Sequence, residues 1–192
     1  MASGPRHVCV YCSSSAAVAD AYVTAARELG TSLAERGHVL VWGGATVGLM
    51  GEVARAARLG GGRTVGVIPE SLRAVEVADQ AADELIVTPD MLTRKHEMAT
   101  RADAFIALPG GFGTLEEVFE QLTARLLGLH EKPIVLVDVD GFWQPLLAVL
   151  DHLYRERFAR PESAGAYTVV ADAAGALAAI DAPTVVLPGK WL

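Results

Sequence analysis

The chain of 192 residues is 52% hydrophobic and 20% charged, which is typical of a globular protein, so we expect one domain over residues 1–192. Its net charge of −7 argues against a general surface for nucleic acid or anionic membranes, although a local basic pocket stays open. No apolar run reaches the roughly 18 residues of a membrane span, and the N-terminus leads into no signal-peptide core, so we expect a cytoplasmic protein.

The chain begins with a predicted strand over residues 7–11, a helix over 20–36 and a second strand over 39–42. The turn after the first strand contains Ser13, Ser14 and Ser15. These small polar residues fit an ordinary loop, or a loop that donates hydrogen bonds to a ligand, for which Ser14 is the candidate.

The two cysteines, Cys9 and Cys12, have the spacing of a redox dithiol. A redox pair usually lies at the start of a helix, where the thiolate is stabilised, whereas Cys9 falls within the first predicted strand. Residues three apart in a strand point to opposite faces of the sheet. We therefore favour two buried, inert thiols.

A glycine-rich loop follows the second strand and contains Gly43, Gly44 and Gly48. It is not a P-loop, because Leu49 and Met50 stand where that motif requires Lys and Ser or Thr. Nor does a dinucleotide-binding glycine fingerprint follow the first strand. Two interpretations stay open for the loop: it holds a phosphate or ribose, or it allows close helix packing.

The middle of the chain continues the alternation of helices and strands. We predict a helix over residues 52–59, strands over 64–68, 84–87 and 104–108, and a helix over 91–101 that carries Arg94 and Lys95. Residues 69–83 have weak periodicity, which predicts a loop with a helical turn and suits a lid.

The most informative stretch is the glycine-rich turn over residues 109–113. It joins a buried strand to a helix that begins near Thr114, so backbone N–H groups and the helix N-terminus together favour a bound phosphate. Glu116 and Glu117 then lie in the first helical turn. The alternative is an ordinary strand-to-helix turn whose acidic residues stabilise the helix.

The last third predicts a strand over residues 133–137, a helix over 142–158, a strand over 167–170 and a helix over 173–180, whereas residues 181–192 cannot be placed. Strands alternating with helices predict an α/β fold: a single doubly wound, Rossmann-like parallel sheet with helices on both faces. Ligands bind such sheets at the carboxyl ends of the strands. The serine turn, both glycine loops and the predicted lid all fall at that edge.

The motifs at this edge resemble those of the LONELY GUY family. Residues 109–117 (PGGFGTLEE) match its PGGxGTxxE signature, and residues 91–98 (MLTRKHEM) match its Arg-Lys segment. The similarity continues through Gly43-Gly44, residues 48–51, 66–69 and 127–133, and it covers the chain from the first strand to about Phe158.

The resemblance implies a cytokinin riboside 5′-monophosphate phosphoribohydrolase, which hydrolyses N6-modified adenosine 5′-monophosphates, and with them AMP, to free base and ribose 5-phosphate. Members are often labelled lysine decarboxylases, but no pyridoxal-type site is evident in this sequence. We expect no metal and no organic cofactor. Two other interpretations stay open: a general AMP nucleosidase, and a non-catalytic nucleotide-binding or carrier module of the same fold.

The resemblance also assigns roles to residues. Glu117 matches the catalytic carboxylate, Arg94 orients the substrate, and the backbone from Gly111 to Thr114 holds the 5′-phosphate. The substrate-binding candidates are Gly43, Gly44, Gly48, Ser14, Glu76, Lys95, Gly110, Gly111, Phe112, Gly113, Thr114, Leu115, Glu116 and Thr123.

Several further residues receive structural interpretations. Glu120 is expected on a solvated helix face, and Met91 and Met98 are expected to pack. His96, His130 and His152 have no metal-ligand spacing, so we expect surface or hydrogen-bonded side chains. Ala124-Arg125 departs from the family's usual Trp-containing pair, a change that bears on the base pocket or a neighbouring subunit.

We expect the protein to be a homodimer or a larger homo-oligomer. The helices around residues 115–129 and 142–158 carry more apolar residues than one sheet face requires. Family members pair through this region.

Overall fold

The computed structural model describes residues 4–73, 77–185 and 187, and its central feature is one seven-stranded sheet in which every pairing is parallel. The strand order is β4-β3-β2-β1-β5-β6-β7. The strands are β1 His7–Tyr11, β2 Val39–Trp42, β3 Thr64–Pro69, β4 Glu84–Thr88, β5 Ala104–Ala107, β6 Ile134–Val137 and β7 Thr168–Val170.

Helices cover both faces of this sheet. They are α1 Asp20–Glu35, α2 Gly48–Leu59, α3 Glu70–Arg73, α4 Met91–Arg101, α5 Phe112–Leu126, α6 Gln144–Arg155 and α7 Ala173–Asp181, with 3₁₀ turns at Val139–Gly141 and Pro161–Ala166. One apolar core contains residues of α1, α2 and α7, and the other contains residues of α4 and α5 with part of α6 packed against it. The predicted doubly wound α/β fold is therefore confirmed.

Strand β1 shows how side chains divide between the two cores. Val8, Val10 and Cys12 belong to the α1–α2–α7 side, whereas Cys9 and Tyr11 belong to the other side. Both cysteines are buried and free, and burial raises the pKa of each thiol well above its usual value. This confirms the prediction of buried thiols on opposite faces, and the raised pKa values disfavour the reactive thiolate.

Some predicted boundaries are wrong by a few residues. Helix α2 begins at Gly48 and not at residue 52, and α5 begins at Phe112 and not at Thr114. In both cases the glycine-rich segment, which was interpreted as a loop, already forms the first helical turn. Helix α6 ends at Arg155, three residues before the predicted end, because Arg157 adopts a positive φ of 62°.

The strand order reverses between β1 and β5, and this position controls where a ligand can bind. The chain runs outward from β1 to β4 and then returns to place β5 beside β1. The loops after these two strands diverge to opposite faces at such a point and leave a crevice between them. Here the loops touch where the backbone N–H of Ser13 donates to the carbonyl of Pro109 over 3.2 Å.

Candidate functional site

A cleft of about 340 Å³ opens at the carboxyl edge of β1 and β5. It is lined by the turn after β1, by the N-terminal turns of α4 and α5, and by single side chains from α2 and α3. The lining residues are Cys12, Ser13, Ser14, Ser15, Met50, Leu72, Met91, Arg94, Gly111, Phe112, Gly113, Thr114, Glu116 and Glu117. Leu72 brings part of the predicted lid segment to the cleft.

The N-terminus of α5 lines the cleft and suits the binding of an anionic group. Gly111 is the N-cap residue and provides no side-chain cap, so the first N–H groups of this 15-residue helix have no capping side-chain acceptor. A Cβ built on Gly111 or Gly113 would meet no other atom within 4 Å, which leaves the space above the turn free for a ligand. The helix dipole adds partial positive charge there.

Glu117 is a buried carboxyl group on the first turns of the same helix. Its relative exposure is 9%, and burial raises the pKa of Glu117 to about 7, while the charge of Arg94 opposes this shift. A carboxyl group with a pKa near neutrality can hold or release a proton at physiological pH. The position therefore suits a general base.

Arg94 of α4 is held against the sheet beside Glu117. It is 5% exposed, and its Nε and Nη2 donate to the carbonyls of Val67 over 3.1 Å and Gly43 over 3.2 Å. A guanidinium group has five N–H donors, so donors remain for a ligand after these two bonds. These two contacts fix the orientation of the planar guanidinium group of Arg94 before a substrate binds.

Gly43 makes this arrangement of Arg94 possible. A Cβ at position 43 would overlap Nη2 of Arg94, so a larger residue would displace the guanidinium group. Gly48 has a φ of 56°, and a Cβ there would overlap the backbone of Ser14. The loop therefore packs closely at both glycines, and its binding of a phosphate or ribose stays a prediction.

Lys95, the neighbour of Arg94, is held by two acidic residues of α5. Its Nζ lies 2.5 Å from Oε1 of Glu116 and 3.4 Å from Oε2 of Glu120. The hydrogen bond that Lys95 donates to Glu116 is the main reason that the pKa of Lys95 is raised. Glu120 was predicted on a solvated face, and its side chain is 40% exposed, but α4 also brings Lys95 against it.

The remaining sequence candidates lie at different distances from the cleft. Gly110 lines a smaller apolar cavity of about 200 Å³ on the other side of the glycine turn, and Leu115 packs against the core. Gly44 has a φ of 73° and packs against β3, and Thr123 is exposed beyond the cleft lining. Glu76 falls outside the described residues.

Sequence reasoning missed part of the cleft wall. Met91 was expected to pack, but it lines the cleft with its Sδ 3.8 Å from Nη1 of Arg94. The position of Met91 could have been predicted from its spacing, because Met91 and Arg94 are three residues apart on α4 and such residues share a helix face. Met50 and Leu72 gave no comparable signal. Met98 packs in the core as predicted, at 1% exposure.

The histidines lie as expected. His96 and His152 are exposed, and Nδ1 of His130 accepts a hydrogen bond from the backbone of Lys132 over 3.2 Å. Among residues 4–73, 77–185 and 187, no group of three or more His, Cys, Asp or Glu side chains is placed to hold a metal ion. Within the same residues, no helix is both long and apolar enough to cross a membrane.

Comparison with curated proteins gives several close relatives. The cytokinin riboside 5′-monophosphate phosphoribohydrolase LOG of Oryza sativa subsp. japonica is 49% identical over 153 residues, which cover 80% of this chain and 63% of the rice protein. The cytokinin riboside 5′-monophosphate phosphoribohydrolase LOG7 of Arabidopsis thaliana is 46% identical over 156 residues, which cover 81% of this chain and 72% of that protein. The probable cytokinin riboside 5′-monophosphate phosphoribohydrolase LOGL2 of Oryza sativa subsp. japonica is 47% identical over 158 residues, which cover 82% of this chain and 65% of that protein. The chain thus spans a little under two thirds of the length of these two rice proteins.

Solved structures with the same fold include proteins of another functional class. The molybdenum cofactor carrier protein of Chlamydomonas reinhardtii superposes with a TM-score of 0.71 at 30% identity, covering 93% of this chain and 96% of that one. The molybdenum cofactor binding protein of Rippkaea orientalis gives a TM-score of 0.68 at 25% identity, covering 92% and 94%. The fold thus supports carriers as well as hydrolases.

A family model described as a possible lysine decarboxylase matches residues 50–180. The cleft gives that description no support, since a Schiff-base lysine needs a lowered pKa whereas that of Lys95 is raised. The relatives at 46–49% identity instead carry the phosphoribohydrolase name. The family model matches more than half of the chain, and the relatives are 46–49% identical to it. The chain therefore belongs to the LONELY GUY family of phosphoribohydrolases.

Proposed function

We propose that this protein hydrolyses the N-glycosidic bond of N6-modified adenosine 5′-monophosphates, and of AMP, to free base and ribose 5-phosphate. The observation that carries the proposal is the placement of Glu117. It is a buried carboxyl group with a pKa raised to about 7, next to Arg94 and on the same helix whose N-terminus faces the cleft. Its relatives carry the name of this activity.

The geometry suits this reaction because breaking the bond between C1′ and the base places positive charge on the ribose ring. A carboxylate beside the ring stabilises that charge and deprotonates the attacking water. The water oxygen bonds to C1′ as the base leaves, the water proton passes to Glu117, and the base takes a proton from solvent. Glu117 then returns its proton to solvent.

The 5′-phosphate would hold the ribose against Glu117. The backbone N–H groups of Gly111–Thr114 bind the phosphate in this proposal, with Ser14 at the facing side of the cleft. Arg94 orients the ribose or phosphate through its remaining donors, and Lys95 contacts a substrate oxygen. The family resemblance also implies a substrate contact by Thr123, although its side chain lies beyond the lining of this cleft. Binding energy from this remote group then serves the chemical step.

Other parts of the proposal concern context. We propose that the reaction takes place in the cytoplasm and that residues 1–192 form one domain. The alternative function is a nucleotide-binding or carrier module that cleaves nothing. This alternative is supported by the solved structures of similar fold, which are a molybdenum cofactor carrier protein and a molybdenum cofactor binding protein.

One experiment separates these functions. The protein is incubated with AMP, N6-isopentenyl-AMP and the two matching ribosides, and free base and ribose 5-phosphate are quantified by chromatography. We expect base release from both monophosphates and release lower by orders of magnitude from the ribosides, because these lack the phosphate contacts. Nucleotide binding without base release would identify a carrier, and strong preference for AMP would identify a general AMP nucleosidase.

A further inference from the structure

Glu116 and Glu120 of α5 share one cation, Lys95 of α4, close to Glu117. Glu116 and Glu120 are four residues apart on α5, so both face α4, where Lys95 lies between them. The side chain of Lys95 is 13% exposed, and its Nζ lies 2.5 Å from Glu116 and 3.4 Å from Glu120.

The two acidic residues are not equivalent. Glu116 lines the cleft, and its side chain is 59% exposed. Glu120 does not line the cleft. Its Oε2 is buried and has no hydrogen-bond partner among the described residues, so its contact with Lys95 over 3.4 Å is an ion pair. A ligand that enters the cleft therefore meets Glu116 first and leaves the contact between Lys95 and Glu120 intact.

The charges in the cleft indicate why an exchange of partners is needed. Arg94 and Lys95 face the three carboxyl groups of Glu116, Glu117 and Glu120, so the cluster has no excess positive charge when Glu117 is ionised. Backbone carbonyls orient Arg94, whereas Lys95 is held by the carboxylates of Glu116 and Glu120. Arg94, Glu116 and Glu117 line the cleft, but Lys95 and Glu120 do not, so a nucleotide oxygen reaches Lys95 only after Glu116 moves.

We propose that Glu120 is a positioning residue that holds Lys95 against α5 while an oxygen atom of the bound nucleotide replaces Glu116 as the second partner of the ammonium group. The proposal rests on the proposed function, because it requires a nucleotide in this cleft. It assigns opposite effects to two neighbouring acids: Glu116 competes with the ligand, and Glu120 supports its binding.

The same cluster acts on Glu117. The charged groups facing Glu117 are Arg94 and Lys95 from α4 and Glu116 and Glu120 from α5. The other titratable groups near it are Cys9 and Tyr11 from β1 and Cys12 from the turn after β1. Burial raises the pKa of both thiols and of the Tyr11 phenol, so these groups are neutral near pH 7. Removing the negative charge of Glu120 should therefore lower the pKa of Glu117.

The test compares Glu116→Ala with Glu120→Ala. Each variant is made in a Glu117→Gln background, in which turnover is expected to be at least about 10²-fold slower, and AMP binding is measured by titration calorimetry. We expect Glu120→Ala to weaken AMP binding by about two- to fivefold, the range of half-exposed ion pairs, and Glu116→Ala to leave it equal or tighter. In a Lys95→Ala background, Glu120→Ala should have no further effect on binding.

A purely electrostatic role predicts a different pattern, since removing either negative charge would tighten binding of an anion. Tighter or unchanged AMP binding by the Glu120→Ala variant, with the fold verified by circular dichroism, would therefore overturn the positioning role. A second measurement is the acidic limb of kcat/KM for N6-isopentenyl-AMP in otherwise native enzyme. We expect Glu120→Ala to move it to lower pH, whereas a merely structural change would leave its midpoint in place.

The outcomes for the two proposals remain distinguishable. The predicted binding pattern in a protein that releases no base would support the role of Glu120 and refute the hydrolase. Base release with the opposite binding pattern would support the hydrolase and refute the role of Glu120. Failure of AMP to bind any variant would overturn both.

Discussion

Glu117 combines the properties that the proposed chemistry needs from one side chain. Burial disfavours its charged form, whereas Arg94 favours it, and burial has the larger effect, so the pKa of Glu117 rises to about 7. A base with a pKa near the working pH is both ionised in a useful fraction of molecules and basic enough to accept a proton. The same burial destabilises the folded protein whenever Glu117 is charged.

Replacing Glu117 by Gln should reduce turnover of N6-isopentenyl-AMP by at least about 10²-fold, the lower end for general acid–base catalysis. Gln keeps the size of the side chain but can neither carry the charge nor accept the water proton. Ground-state affinity should change little, because the charge matters mainly after the bond begins to break. Steady-state kinetics would measure both quantities.

The control for this prediction is Glu28→Gln, which makes the same chemical change at an exposed position of α1. Glu120→Gln is unsuitable as a control because Glu120 contacts Lys95. Near-normal turnover by a folded Glu117→Gln protein would show that the catalytic role belongs to another residue.

The Glu117→Gln protein should also be more stable than the wild type at pH 8. The pKa of Glu117 rises from 4.5 to about 7 on folding, so its favourable contribution is complete below pH 4.5 and is lost as the pH rises through 7. The loss is on the order of 3 kcal/mol, and Gln, which cannot ionise, avoids it. Urea unfolding should show a gain of about 1–3 kcal/mol at pH 8 and little at pH 5. An equal effect at both pH values would contradict this account.

At the scale of elements, the C-terminal half of α5 fixes the end of the described chain. Arg125 is buried, and its Nη1 and Nη2 donate to the carbonyls of Ala166 over 2.9 Å and Val185 over 3.2 Å. Leu187 packs against the same core. Arg125 is one of the two residues that depart from the family's usual pair, and here it joins α5 to the segment after α7.

Arg125→Met should lower the free energy of unfolding by about 1–3 kcal/mol. Methionine fills a similar volume, but it leaves the buried carbonyl of Ala166 and the partly buried carbonyl of Val185 without their donor. Thermal and urea unfolding would measure the change, with Arg155→Met at an exposed position of α6 as the matched control, expected within about 0.5 kcal/mol of the wild type. A wild-type stability for Arg125→Met would show that solvent replaces the guanidinium group.

At the scale of the molecule, exposed apolar side chains on α5 and α6 and in the segments directly after them predict self-association. Large apolar side chains are exposed there on the described surface: Phe119, Leu127, Leu129, Val149 and Phe158. They fall within the two segments from which the sequence predicted an interface. Exposed apolar side chains concentrated in this way usually mark a contact surface.

We expect a homodimer or larger assembly by light scattering at micromolar concentration. Leu127→Asp combined with Leu129→Asp should shift the mass toward the monomer, because charged residues would have to be buried in the contact. Leu59→Asp, on an exposed position of α2 on the other side of the sheet, is the control and should leave the mass unchanged. A monomeric wild-type protein would contradict the prediction.

The sequence predicted the alternation of strands and helices because hydrophobic periodicity is local, and each element reports on its own buried face. It also predicted that the turn after β1 and the turn before α5 meet, because parallel strands place their carboxyl ends at one edge. Its errors at α2 and α5 have one cause: glycine-rich segments gave no apolar period, although their backbones are helical from Gly48 and Phe112.

By itself, the sequence determined the fold class, the motif that carries Glu117, and the family through the spacing of that motif from Arg94-Lys95. Only the tertiary structure decided what surrounds these side chains. Arg94 is held by carbonyls 27 and 51 residues away, Lys95 is paired with acids of another helix, and Gly43 is needed for its contact with Arg94. The physical reason is that burial and charge pairing arise between elements distant in sequence, so no local pattern records them.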